Sequence, residues 1–311
     1  MLGAGAGLLA QSLPLRGADE SPSGKLKVCI FSKHLQFLEG EELAKGAAGI
    51  GFDGVDLTVR KGGHVEPDRV RQDLPPLVGL LHSHGLQTPM VTSDIVDADT
   101  PFAEDILRTI ADLGIRNYRW MPSGGFKYAT NEPYPAQLDR FKIRVAKLAA
   151  LNAKYRVGAM YHTHSGVNFV GSSIWDLYEM FRDFDPASIG VNYDVGHATV
   201  EGGFGGWINS FRITGPHLRG IAVKDFLWAK NAKGDWEPEW KPLGEGMVRF
   251  PQFFAMVKGA DFHGPVQLHF EYKLGGADSG KKTLTMPRAD VFAGMKRDLA
   301  TLRGYMSQAG V

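Results

Sequence analysis

Eight short apolar runs recur along the chain after residue 25, and they constrain the fold more than any other feature. They are KVCIF (27–31), GVDLTV (54–59), TPMVTS (88–93), NYRWM (117–121), VGAMYH (157–162), IGVNYDV (189–195), LRGIAVKDF (218–226) and PVQLHFEY (265–272). Each has the length of a strand, and several follow glycine turns such as GFDG, HGLQT and DFHGP. Amphipathic stretches separate them. Leu138, Phe141, Val145 and Leu148 fall on one helical face, as do Phe292, Met295, Leu299 and Leu302. Eight strand–helix alternations without a break in composition predict an α/β chain, a single-domain (β/α)8 TIM barrel over residues 25–311. An open doubly wound sheet is the competing architecture. It usually carries a glycine-rich phosphate loop after its first strand, and FSKHLQFL has no glycine there.

Two connections on the strand-to-helix side are long for a compact domain. One, after the fourth run, spans 121–135. The other, after the seventh, spans 227–247 and carries Trp228, Trp236 and Trp240. Tryptophans there can stack on a sugar ring or simply pack the loop down. Residues 1–24 are set apart: MLGAGAGLLAQSLPLRGADE reads as the apolar core and cleavage region of an export signal, without the usual basic residues before it. A disordered tail is the alternative. A working signal would place the protein in the periplasm or outside the cell; otherwise it is cytoplasmic.

Charge excludes other classes. There are 34 acidic and 35 basic residues and no long basic run, so nothing steers the chain toward nucleic acid or an anionic membrane. One cysteine, Cys29, sits in an apolar run; it rules out an internal disulfide and a cysteine-based zinc site.

In a barrel, chemistry gathers where strands end and loops begin. Six of the ten histidines fall there: His34, His64, His162, His164, His197 and His269. His82, His84, His217 and His263 fall in a helix or at strand starts. Asp194, Lys224, Asp225 and Glu271 join the first group at the ends of the sixth, seventh and eighth runs. Strand alternation puts His162 with His164, and His269 with Glu271, on common sides. Imidazole and carboxylate together suit Mn, Zn, Fe or Co better than Ca or Mg. The expected single site is His162, Asp194, His269 and Glu271. His162, His164, Lys224 and Glu271 are the expected catalytic groups, with Lys224 stabilising an oxyanion. His34, His64, His197 and Trp228 are the expected substrate contacts.

Motif order adds a resemblance. GFDGVDL, YHTHSG, YDVGHA, VKDF, PLGEG and GPVQLHFEY together resemble the xylose isomerase-like TIM-barrel family of sugar and sugar-phosphate isomerases and epimerases, which includes the endonuclease IV branch. The resemblance covers nearly the whole chain after residue 25. It implies a divalent metal held by Glu, Asp, His and Glu from the fifth to eighth strands, the two glutamates shuttling protons between neighbouring carbons. Here Asp194 matches, with His197 at the substrate-side histidine. His162 replaces the fifth-strand glutamate, Ala222 replaces the seventh-strand histidine, and His269 aligns with the eighth-strand glutamate, two residues before Glu271.

The resemblance implies a metal-dependent isomerase or epimerase acting on a small carbohydrate. A lyase or hydratase on 3-keto-glycosides would use the same proton abstraction. A non-catalytic sugar-binding barrel is the third reading. The expected partner is a small carbohydrate, with no nucleic acid, no membrane in the mature form, and a homo-oligomer left open.

Overall fold

The apolar runs pair with one another in a ring. The structure, a computed structural model, describes residues 25–120 and 126–311. The strands in chain order are β1 (Val28–Phe31), β2 (Gly54–Val59), β3 (Val91–Ser93), β4 (Asn117–Trp120), β5 (Gly158–His162), β6 (Ile189–Asp194), β7 (Leu218–Val223), β8 (Asp225–Lys230), β9 (Trp236–Lys241) and β10 (Val266–Leu268). Eight of them close into a barrel in the order β1-β10-β7-β6-β5-β4-β3-β2, with every pairing parallel. The helices are α1 (Gly40–Ile50), α2 (Val70–Ser83), α3 (Ala103–Asp112), α4 (Tyr134–Tyr155), α5 (Trp175–Phe181), α6 (Val195–Gly202), α7 (Gly206–Thr214), α8 (Phe250–Gly259) and α9 (Arg288–Ala309). Each barrel strand is thus followed by helix, as an α/β barrel requires. No described helix is long and apolar enough to cross a membrane.

Parallel strands buried on both faces read as near-continuous apolar runs, which is why the pattern located them. The helical stripes also pack inward: Val145 and Leu148 of α4, and Met295, Leu299 and Leu302 of α9, are buried.

Three expectations need correction or fall out of view. The seventh run is two elements, not one. Its barrel strand stops at Val223, and from Asp225 the chain forms an antiparallel hairpin, β8 against β9. The loop expected at 227–247 therefore contains two paired strands. The cause is Asp225. Its carboxylate accepts hydrogen bonds from the amides of Phe226 (2.9 Å), Gly244 (3.0 Å), Gly246 (2.9 Å) and Val248 (3.1 Å), pinning both ends of the hairpin. A Cβ at Gly246 would collide with that carboxylate, so the approach needs glycine. The eighth run contributes only Val266–Leu268 to the sheet. Beyond it the Phe270 amide donates to His34 Nε2 (3.2 Å) instead of to a strand. The proposed leader, 1–24, lies outside the described residues, as do 121–125 of the loop after β4.

Barrel interiors are usually filled by branched apolar side chains. This one is polar. Asp56, Thr92, Arg119, His162, Asn192, Asp194, Gln267 and His269 are all buried. Asp56 accepts from Thr92 Oγ1 (2.8 Å) and Gln267 Nε2 (2.7 Å), and Gln267 Oε1 accepts from Asn192 Nδ2 (2.5 Å). The chain of bonds rises from the barrel interior to the strand ends, where the candidate site lies.

Candidate active site

Asp194 is the hinge of the site. It ends β6 and caps α6, its Oδ1 accepting from the His197 amide at 2.9 Å. An aspartate at this position stabilises a helix start. The cap uses Oδ1 and leaves Oδ2 facing the barrel axis. Oδ2 lies 3.1 Å from Lys224 Nζ and 3.4 Å from His162 Nε2, without a well-directed hydrogen bond to either. His269 Nε2 is also buried and has no partner among the described residues.

His162, Asp194 and His269 each offer one ligand atom, all within 4.8 Å of one another and all buried. Two imidazoles and a carboxylate, with two partnerless polar atoms among them, fit a divalent ion of the Mn–Zn series. Asn192 Nδ2 donates to His162 Nδ1 at 3.1 Å, which puts the ring proton on Nε2. Ligation by His162 Nε2 would need the Asn192 amide turned over, with Gln267 following; Asn192 Oδ1 has no partner among the described residues.

Lys224, between β7 and β8, is buried and reaches three groups. Its Nζ lies 2.6 Å from His197 Nε2, 3.1 Å from Asp194 and 3.9 Å from Glu271 Oε1. As Lys224 donates to Nε2, His197 carries its proton on Nδ1 and donates it to Ser165 Oγ (2.8 Å). His164 packs against His197 with ring centroids 3.8 Å apart and the rings tilted by 34°, and its Nδ1 donates to the Ser165 carbonyl (2.7 Å). Its Nε2 keeps a lone pair.

Electrostatics sort the groups. Burial, reinforced by Arg119, holds His162 well below the ordinary histidine range; burial, reinforced by Lys224, does the same for His197 and His269. His164 is lowered to about 4, chiefly by burial. Burial pushes Asp194 upward, against the pull of Lys224 and the His197 amide. Burial also opposes charge on Glu271, yet Lys224 and Lys33 overcome it and hold the carboxyl at about 2. Glu271 and His164 are partly open to solvent, whereas His162, Asp194, His269 and Lys224 are buried. A substrate entering from the mouth therefore meets Glu271 and His164 first.

The other expected residues separate. His34 is tied at both nitrogens, Nδ1 donating to Ala277 O (3.0 Å) and Nε2 accepting from Phe270, so it braces the β1 and β10 loops and has no atom left for substrate. His64 is used in the same way by Thr58 Oγ1 (3.0 Å) and Leu38 O (3.2 Å). Trp228 stands on the hairpin, 39% exposed and edge-on to Phe226. Trp240, paired with Phe226 across the hairpin, is the tryptophan that walls the site: its ring lies 5.2 Å from His197 and 4.6 Å from Lys224 Nζ. Lys33 and Arg119 were not singled out from sequence. Lys33 Nζ reaches Glu271 at 3.4 Å. Arg119 points inward because its neighbours Tyr118 and Trp120 reach outward, to Asn152 of α4 and to the Val96 carbonyl. Strand alternation around NYRWM carried that signal.

A family model described as Xylose isomerase-like TIM barrel matches residues 44–288. No curated protein matches the sequence. Among solved structures, the barrel is similar to a D-psicose 3-epimerase with D-tagatose from Clostridium cellulolyticum H10, at 13% identity and TM-score 0.66 over 90% of this chain and 99% of that one. It is similar to an L-ribulose 3-epimerase, at 14% identity and TM-score 0.66 over 92% and 96%. It is also similar to a 3-keto-D-glucoside 4-epimerase from E. coli, at 12% identity and TM-score 0.62 over 90% and 100%.

Proposed function

The chain belongs to the xylose isomerase-like TIM-barrel family, and from that premise we propose that it is a sugar isomerase or epimerase that moves a proton beside a carbonyl. One observation carries this reading: Glu271, ionised and accessible at the mouth, sits between Lys33 and Lys224 beside the buried His162, Asp194 and His269 cluster. Solved structures of similar fold include sugar epimerases, which agrees with it.

Glu271 takes the proton from the carbon next to the carbonyl. A carboxylate stabilised this strongly is a weak base in the free protein. The transfer stays feasible because the negative charge moves only from Glu271 to the enediolate oxygen, within the field of the same two lysines. Lys224 stays paired to Asp194 and places its charge at that oxygen. Glu271 then returns the proton to the adjacent carbon on the same face, which isomerises aldose and ketose with no second acid. His164, neutral with Nε2 free, accepts and returns the hydroxyl proton. Epimerisation needs a donor on the opposite face, and His164 serves only once it has been protonated. Trp240 lines the cleft against an apolar face of the sugar. A divalent ion held by His162, Asp194 and His269 would polarise the carbonyl and hold the neighbouring hydroxyl.

The test is solvent deuterium. Pentoses and hexoses, as ketose and aldose, are incubated with the protein in D2O, with and without added Mn or Zn. Uptake at the carbon beside the carbonyl is expected, and Glu271→Gln should abolish it while the circular dichroism is unchanged. No uptake from any sugar, or full uptake in the variant, overturns the reading.

A further inference from the structure

Arg119 presents an unusual problem of charge. It is 7% exposed, and among the described residues its guanidinium forms no ion pair and no side-chain hydrogen bond; its buried Nε has no partner at all. Leaving a buried cation unpaired is costly unless something else supplies the anion. Asp56 is the carboxylate that acts on Arg119 most strongly, but among the described residues it forms no ion pair or hydrogen bond with the guanidinium and bonds instead to Thr92 and Gln267. Arg119 also has cationic company. The Phe31 ring, at the end of β1, has the Arg119 Cζ at 5.4 Å, the Arg60 Cζ at 5.5 Å and the Lys33 Nζ at 5.7 Å from its centroid. Phe31 packs on His269 at 5.0 Å, so this cluster adjoins the site described above. The carboxylates whose charge acts most on Arg119 are Asp56, Asp194 and Glu271, and the last two are already shared with Lys224 and Lys33.

We propose that Arg119, Arg60 and Lys33 form a subsite for an oxyanion carried by the sugar, a carboxylate or a phosphate. The inference rests on the sugar-isomerase reading and narrows its substrate class to acidic sugars. The guanidinium fork of Arg119 matches either oxyanion in two-point contact.

The experiment measures binding of D-galacturonate, D-galactose and D-galactose 6-phosphate by calorimetry on the full chain at low salt. Galacturonate should bind about tenfold or more tightly than galactose, and the gap should shrink in 0.5 M salt. Preference for the phosphate over galacturonate keeps the subsite and changes the oxyanion. Arg119→Met should erase the preference. If it fails to fold, Arg60→Met, at a half-buried position, is expected to cut the preference several-fold. Equal affinity for all three sugars, or a preference unchanged in the folded variants, overturns the subsite. The outcomes separate the two ideas. Acid preference without deuterium exchange sinks the isomerase reading alone, and exchange on neutral sugars without acid preference sinks the subsite alone.

Discussion

Replacing Asp56 by Asn tests the polar interior directly. Asp56 is fully buried on β2, and burial raises its carboxyl from 3.8 to about 7, against the pull of Thr92, Arg119, Arg60 and Gln267. The folded value lies above the unfolded one, so between the two the folded protein binds the extra proton. Stability contributed by that proton is full at low pH and is lost as pH rises toward 7. From pH 5 to pH 8 about two pH units of this difference are crossed, worth about 3 kcal/mol at about 1.4 kcal/mol each. Asn removes the ionisation and keeps the shape. Its Oδ1 can accept from Thr92 and Gln267, and its amide can donate to Thr92 Oγ1. Urea unfolding of both proteins at pH 5 and pH 8, followed by the fluorescence of the buried Trp120 and Trp207, gives a double difference in which all other titrating groups cancel. The variant should gain about 3 kcal/mol on wild type between pH 5 and pH 8. A double difference within about 0.5 kcal/mol of zero, or of opposite sign, refutes the claim that Asp56 is buried in a medium that resists its charge.

Three more outcomes follow from the same contacts. His34→Ala removes two ties between the β1 and β10 loops and leaves a cavity, and should cost about 3 kcal/mol in thermal or urea unfolding; because burial lowers His34 to about 3, wild type should lose stability as pH falls from 6.5 toward 3, and the variant should lose less over that window. Trp240→Ala should raise KM about tenfold with little change in kcat, whereas Trp228→Ala should leave both unchanged; an equal effect of the two would misplace the site wall. Protein purified without chelator should carry about one equivalent of transition metal by elemental analysis, falling several-fold in His269→Ala; an unchanged content would remove His269 from the ion's ligands.

The barrel was legible because buried parallel strands impose a repeat that local sequence cannot hide. Both misread runs concern where strands stop. In LRGIAVKDF the alternation passes through Lys224 without a pause, yet the chain changes partner there, because Asp225 collects amides from 21 and 23 residues downstream. In PVQLHFEY, His34 intercepts the Phe270 amide from 236 residues away. The same distance effect explains the site. His162, Asp194 and His269 converge because each stands at the end of a barrel strand, on β5, on β6 and just past β10, with β7 between the last two, and strand ends can be read. His34 and His64 also follow strands. Only the tertiary fold shows that both their nitrogens are already satisfied. Arg119 was readable from alternation alone, but its lack of a partner was not.

The clamp at Asp225 has a design consequence. Since one carboxylate grips the hairpin at both ends, the tip at 231–235 is mechanically separate from the base that holds Trp240. That tip can be lengthened, trimmed or exchanged like a cassette while the wall beside His197 keeps its place. Reaction type would then reside in the barrel strands, and the reach of the pocket along a longer ligand in an interchangeable ribbon above them.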